Sequence, residues 1–283
     1  MKTWILYVTL FGLCKGIREP IKKKALTRTD ILSTLFMYTF LGFLMTIPTA
    51  GNVFSVSPRG LGLSALKAAV LFIAWMASLV SLKKLPVSFY GVVDLSRMFF
   101  STAMGVLFLG ETLTVRGIIS LALICFGLYM AGNRKSAARE GCALRDILIA
   151  MASSLFSATS GVLDKYIMTT EPITGAQLQF WFMLILSCMY LAYILLKKEK
   201  PDITGSLKNP YIWLMSLFLV FGDRLLFTAN ADPDSKVTVM TLIKQCSVLV
   251  TIAAGKIIYK EKHILRKLLC AGIIITGILL AVL

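Results

Sequence analysis

Ten stretches of mostly apolar residues follow one another along the chain, each long enough to cross the ~30 Å hydrocarbon layer as a helix. They cover residues 3–21, 31–50, 62–82, 86–109, 113–131, 145–168, 175–196, 210–230, 236–256 and 264–283. Proline, glycine or a cluster of charge bounds nearly every stretch, as expected where backbone leaves hydrocarbon. The pattern predicts an all-α integral membrane protein of ten transmembrane helices, with no room for a sizeable soluble domain.

Composition agrees: 57% of the 283 residues are hydrophobic and mean hydropathy is +0.80, more apolar surface than a soluble chain covers. The formal charge of +16 would suggest nucleic acid in a soluble protein. Here the basic residues gather between apolar stretches and act as topology signals instead. Alternate loops hold twenty Lys and Arg against four, a set that includes Arg18, Lys22, Lys23, Lys24 and Arg28 in the first loop. Short basic loops stay in the cytoplasm, so both termini are expected outside it, in a multi-pass plasma-membrane protein. The start resembles a signal peptide, but Leu13 precedes Cys14 and no small-residue cleavage site follows, so a retained first helix is expected. Six scattered cysteines form no metal or redox motif, and no cofactor is implied.

The chain matches itself at an offset of 150 residues. Glu111 falls on Glu261, Gly105 on Gly255, Arg116 on Arg266, Gly127 on Gly277, Ser88 on Thr238 and Lys15 on Lys165. A five-helix unit occurring twice is implied: 1–132 and 145–283, joined by a basic loop at 133–144. An odd number of crossings inverts the second copy, the arrangement associated with alternating access.

With this repeat, the turn Leu109-Gly110-Glu111-Thr112-Leu113-Thr114 and its degraded copy Tyr259-Lys260-Glu261-Lys262, the chain resembles the EamA-like branch of the drug/metabolite transporter superfamily. The resemblance implies substrate translocation without ATP hydrolysis, through a central cavity lined largely by helices 3, 4, 8 and 9 and their symmetry mates. Familiar members keep both termini in the cytoplasm; the loop charges here argue the reverse. Glu111 and Glu261 are expected to hold the turn at a helix start, where a carboxylate suits the helix dipole.

Ionisable groups within a bilayer are costly and should face protein or water. Those offered are Lys67 on helix 3, Asp94 and Arg97 on helix 4, Asp223 and Arg224 on helix 8 and Lys244 on helix 9. Three apart on one helix, Asp94 and Arg97 can neutralise each other. At matched depth, Asp223 and Lys244 are expected partners. Trp75, Gln179 and Gln245 complete the candidate substrate site, with Arg97 and Arg224 as its anion-recognising forks. Four cations against two anions suit an anionic or zwitterionic metabolite, and Asp94 or Asp223 is the candidate for a coupling proton. An intramembrane enzyme acting on a lipid-soluble substrate is the rival reading. Its support is thin: there is no phosphate loop, paired-histidine helix or Gly-x-Ser-x-Gly elbow, and only one histidine.

Overall fold

A computed structural model describes residues 3–110, 115–132, 142–198, 200–261 and 264–282. Apart from short turns, secondary structure among the described residues is helical. We number the helices α1 (Thr3–Ala25), α2 (Ile31–Thr46), α3 (Pro58–Lys84), α4 (Val87–Asp94), α5 (Ser96–Leu109), α6 (Val115–Gly132), α7 (Leu144–Thr170), α8 (Gly175–Leu196), α9 (Ile203–Lys208), α10 (Pro210–Asn230), α11 (Val237–Lys244), α12 (Ser247–Ile257) and α13 (Ile264–Val282). Among the described residues, six spans are long and apolar enough to cross a membrane: Ile31–Thr49, Pro58–Lys84, Val87–Phe108, Leu144–Thr170, Gly175–Leu196 and Pro210–Asn230. Helix α1 has the length but also carries Lys15, Arg18, Glu19 and Lys22.

Side-chain caps set many of the boundaries. Asp30 accepts the Ser33 amide at 2.9 Å and Ser57 the Gly60 amide at 2.9 Å, the latter with Pro58 opening α3. Thr174 and Gln177 form a reciprocal capping box at the start of α8. Helix α4 is capped from far along the chain, because the Glu261 carboxylate accepts the Val87 amide at 2.7 Å and the Ser88 amide at 3.2 Å. Glu261 therefore does sit at a helix start, that of α4. Glu111 lies outside the described residues, as do positions 112–114 of its turn and most of the 133–144 loop.

Two expected helices are broken. The fourth stretch turns at Leu95, between α4 and α5, and the ninth at Gln245 and Cys246, between α11 and α12. Helix α1 lies against the second break: a Cβ at Gly16 would stand 2.7 Å from the Ser247 carbonyl oxygen. Only glycine permits that approach.

Elements from the two ends of the sequence interleave. Helix α1 lies along α10, α7 along α3, α2 along α8, and α6 along α13. The main apolar core joins α2, α3, α8 and α10 through Tyr38, Leu79, Phe182, Tyr190 and Phe227; a smaller one joins Trp4, Val8 and Phe11 of α1 to Leu226, Ala229 and Met240. Between these two packed regions lies a polar cavity.

Candidate functional site

The cavity has a volume of about 80 Å³, and α1, α3, α4, α5, α7 and α10 line it. That is room for a few waters or a small solute. From α1 come Phe11, Lys15, Arg18, Glu19 and Lys22. Lys15, Arg18 and Lys22 stand at helical spacing on one face, which turns them together into the cavity and away from lipid. All three are at most 8% exposed. Helix α1 continues four residues beyond the end expected from hydropathy, to Ala25. Arg18 and Lys22 are therefore buried helical residues, not loop charges, and this corrects their place in the topology count. Lys165, counted in the opposite set, is also buried; its ammonium donates to the carbonyls of Asn230 and Asp232 and to the Ser235 hydroxyl, at 2.8–2.9 Å.

Most of the charged groups on the wall are paired. Asp94, the last residue of α4, accepts from Lys15 at 2.6 Å, from Arg97 at 2.9 Å and from the Ser154 hydroxyl at 3.1 Å. The break at Leu95 brings Arg97 back onto this carboxylate from the next helix. Lys22 donates to Glu19 at 2.9 Å. Lys67 of α3 is 2% exposed and pairs with Asp164 of α7 while donating to the Ser160 hydroxyl at 3.2 Å. Its ammonium also faces the rings of Phe182 and Phe227, 4.6 and 5.4 Å from their centroids. Lys67 is thus held in the protein interior, with no reach to a membrane interface.

Two wall charges remain without an ion-pair partner among the described residues. Arg18 lies within electrostatic reach of Tyr38, Asp223 and Glu19, with its guanidinium against the Tyr38 hydroxyl, but it forms no ion pair, and its Nε is buried without an acceptor. The Asp223 carboxylate likewise faces Arg18, Lys67 and Lys244 across space without bonding to any of them. The expected Asp223–Lys244 ion pair is absent. Instead the Lys244 ammonium lies 5.6 Å from the ring centre of Phe11, behind a cavity-lining side chain.

Three other expected site residues do not reach the cavity. Arg224 points elsewhere, donating to the Gln179 side-chain oxygen and, at 2.8 Å, to the Thr49 hydroxyl; the Gln179 amide in turn donates to the Val220 carbonyl at 3.1 Å. Arg97 and Arg224 therefore do not share one site. Neighbours on a helix diverge by about 100°, and here Asp223 takes the inward direction. Gln245 is 1% exposed at the α11–α12 break, with both amide atoms unpartnered. Trp75 lines the cavity, its ring 5.1 Å from that of Tyr38. Helices α11 and α12 contribute no lining residue; α1 and α7 occupy that part of the wall.

Comparison with known proteins now decides the family. The sequence pattern of TPT, the Triose-phosphate Transporter family, matches residues 53–218, more than half of the chain. The chain belongs to the triose-phosphate transporter family. This family is a member of the drug/metabolite transporter superfamily, in which EamA-like proteins are close relatives. Family membership makes the chain a multi-pass membrane solute transporter. One solved crystal structure matches over 97% of this chain and 96% of its own, with a TM-score of 0.69 at 15% identity, which shows a shared fold. No curated protein matches the chain.

Proposed function

We propose that the chain is a secondary transporter that carries a small polar, anionic or zwitterionic metabolite through this cavity by alternating access. The observation that carries the reading is the cationic face of α1. Lys15, Arg18 and Lys22, with Lys67 and Arg97 opposite, place five cations around a cavity whose lining carboxylates are Glu19, Asp164 and Asp223, with Asp94 bonded to Lys15 and Arg97. A surplus of positive charge in a site partly shielded from water favours a negative group on the solute. The family's name speaks of a phosphorylated three-carbon sugar, which accords with an anionic solute of modest size. Trp75 and Tyr90 supply aromatic wall, and Lys244, behind Phe11, strengthens the positive field.

The architecture we propose is ten membrane helices in two inverted five-helix repeats. Its support is geometric as well as sequential. The breaks at Leu95 and Gln245 lie 150 residues apart, the offset of the internal match. The pairing of α1 with α10 is mirrored by that of α7 with α3, the helices in the corresponding places of the other half. Discontinuous helices at equivalent positions are a feature of transporters whose two halves rock about a central site. Asp223, unpaired beside the cavity, is the proposed carrier of a coupling proton. We place the protein in the plasma membrane with both termini outside the cytoplasm; removing Arg18, Lys22 and Lys165 from the loop count leaves the bias unchanged in sign.

The test is exchange in proteoliposomes. Purified protein, without ATP, should catalyse saturable counterflow of a radiolabelled small anion or zwitterion from a panel of inorganic phosphate, glycerate, glycerol phosphate and amino acids. Absence of any protein-dependent flux across the panel overturns the reading, and turnover of membrane lipid in the same vesicles favours the enzyme. No observation at the site favours that rival now.

A further inference from the structure

We infer that the solute is a zwitterion, with its anionic group on Arg18 and its cationic group on Asp223. This deepens the transport reading above and rests on it. The argument comes from the way charge is distributed over the wall. Every other charged group lining the cavity is held in an ion pair within the protein, so its charge is already matched, even where Glu19 Oε2 and Arg97 Nε keep an unused hydrogen-bonding site. Arg18 and Asp223 are the exceptions among the described residues. One is a guanidinium more than nine-tenths buried, with an idle Nε donor; the other is a partly buried carboxylate with no hydrogen bond or ion pair among the described residues.

Opposite charges so close in a low dielectric would be expected to pair. Helix register offsets them. Helices α1 and α10 run antiparallel, and Gly222 of α10 faces Cys14 and Phe11 of α1, a Cβ at Gly222 standing 3.4 Å from each. Asp223 therefore sits beside the level of Cys14, whereas Arg18 lies one turn further along α1, about 6 Å away along the axis at 1.5 Å per residue. A small molecule bearing carboxylate and ammonium a few ångströms apart can satisfy both groups at once. It replaces two unpaired charges by two charge-assisted contacts, while a simple anion would lie beside an uncompensated Asp223. The cavity, with a volume of about 80 Å³, has room for a solute such as a small amino acid.

The experiment measures thermal unfolding of the purified full-length chain against concentration for four probes of similar size: alanine, glycerate, ethanolamine and inorganic phosphate. Ligand binding to the native state raises the transition. Alanine should stabilise the protein at lower concentration than any of the others. In Asp223→Asn the apparent affinity for alanine should fall roughly tenfold or more, the worth of a charge-assisted contact, while that for glycerate improves because a repelling carboxylate is gone. Asp223→Glu should keep the preference for alanine. In Arg18→Gln both should weaken. A merely structural role for Asp223 would lower the transition without changing the order of the probes.

Wild-type protein that responds to glycerate or phosphate at least as well as to alanine overturns the zwitterion while leaving the anion transporter standing. A response to ethanolamine alone overturns both. If no probe shifts the transition, the zwitterion assignment falls, and the proteoliposome exchange then judges transport by itself.

Discussion

Lys67 illustrates what an ammonium at 2% exposure requires. It is held by the Asp164 carboxylate, the Ser160 hydroxyl and two phenyl faces, and the converse holds for Asp164, 4% exposed on the neighbouring helix. Removing one member leaves the other charge stranded, which costs more than the pair itself contributes. Lys67→Met should therefore lower stability by about 3–5 kcal/mol, measured by thermal or denaturant unfolding in detergent, and Lys67→Met with Asp164→Leu should recover most of the loss. If the double variant is no better than the sum of the singles, the two groups are not coupled. Spacing alone made the Asp94–Arg97 pair legible, since residues three apart share a helix face. The cationic face of α1 was also written in the sequence, at positions 15, 18 and 22, with Glu19 beside it. It was obscured because the basic run continues through Lys23, Lys24 and Arg28, and a hydropathy boundary falls inside the helix. A charge facing a cavity and a charge in a loop look alike until periodicity is examined past the apolar edge.

Helix ends and breaks differ in how well sequence announces them. Asp30, Ser57 with Pro58, Thr174 with Gln177, and Asn209 with Pro210 all mark starts where the structure has them. The two breaks carry no such sign, because Leu95, Gln245 and Cys246 include neither proline nor glycine, the residues that usually interrupt a helix. What accompanies the second break lies elsewhere, in Gly12 and Gly16 of α1, whose bare backbone approaches Lys244 and Ser247. The cap on α4 is equally non-local. Glu261 lies 173–174 residues from the amides it accepts. Glu261→Ala should destabilise the protein by about 1–2 kcal/mol, as loss of a helix cap does, with Glu261→Gln intermediate because an amide oxygen still accepts but carries no charge. Unfolding curves of the three proteins check this; equal stability of Glu261→Ala and wild type would mean that solvent caps α4 equally well.

Orientation belongs to the whole molecule, and the loop charges predict it. A carboxy-terminal alkaline phosphatase fusion in a bacterial host should be active, and a green fluorescent protein fusion at the same position dark. The opposite result reverses the orientation without disturbing the fold, since an inverted repeat is compatible with either. Fold class was legible from apolar periodicity because lipid leaves the chain few alternatives. Partnerships across the cavity were not, because they join distant segments, as with Lys15 to Asp94 and Lys67 to Asp164. The interleaving of α1 with α10 also sets a timetable for biosynthesis. Helix α1 leaves the ribosome before α10, and its packing surface and the electrostatic counterpart of Arg18 arrive with Asp223, about 200 residues later. At roughly 5–20 residues per second, that is a delay of some 10–40 s. Through it the Lys22–Glu19 pair within α1 offsets part of its charge, while Arg18 waits beside the translocation machinery for the helix that will cover it.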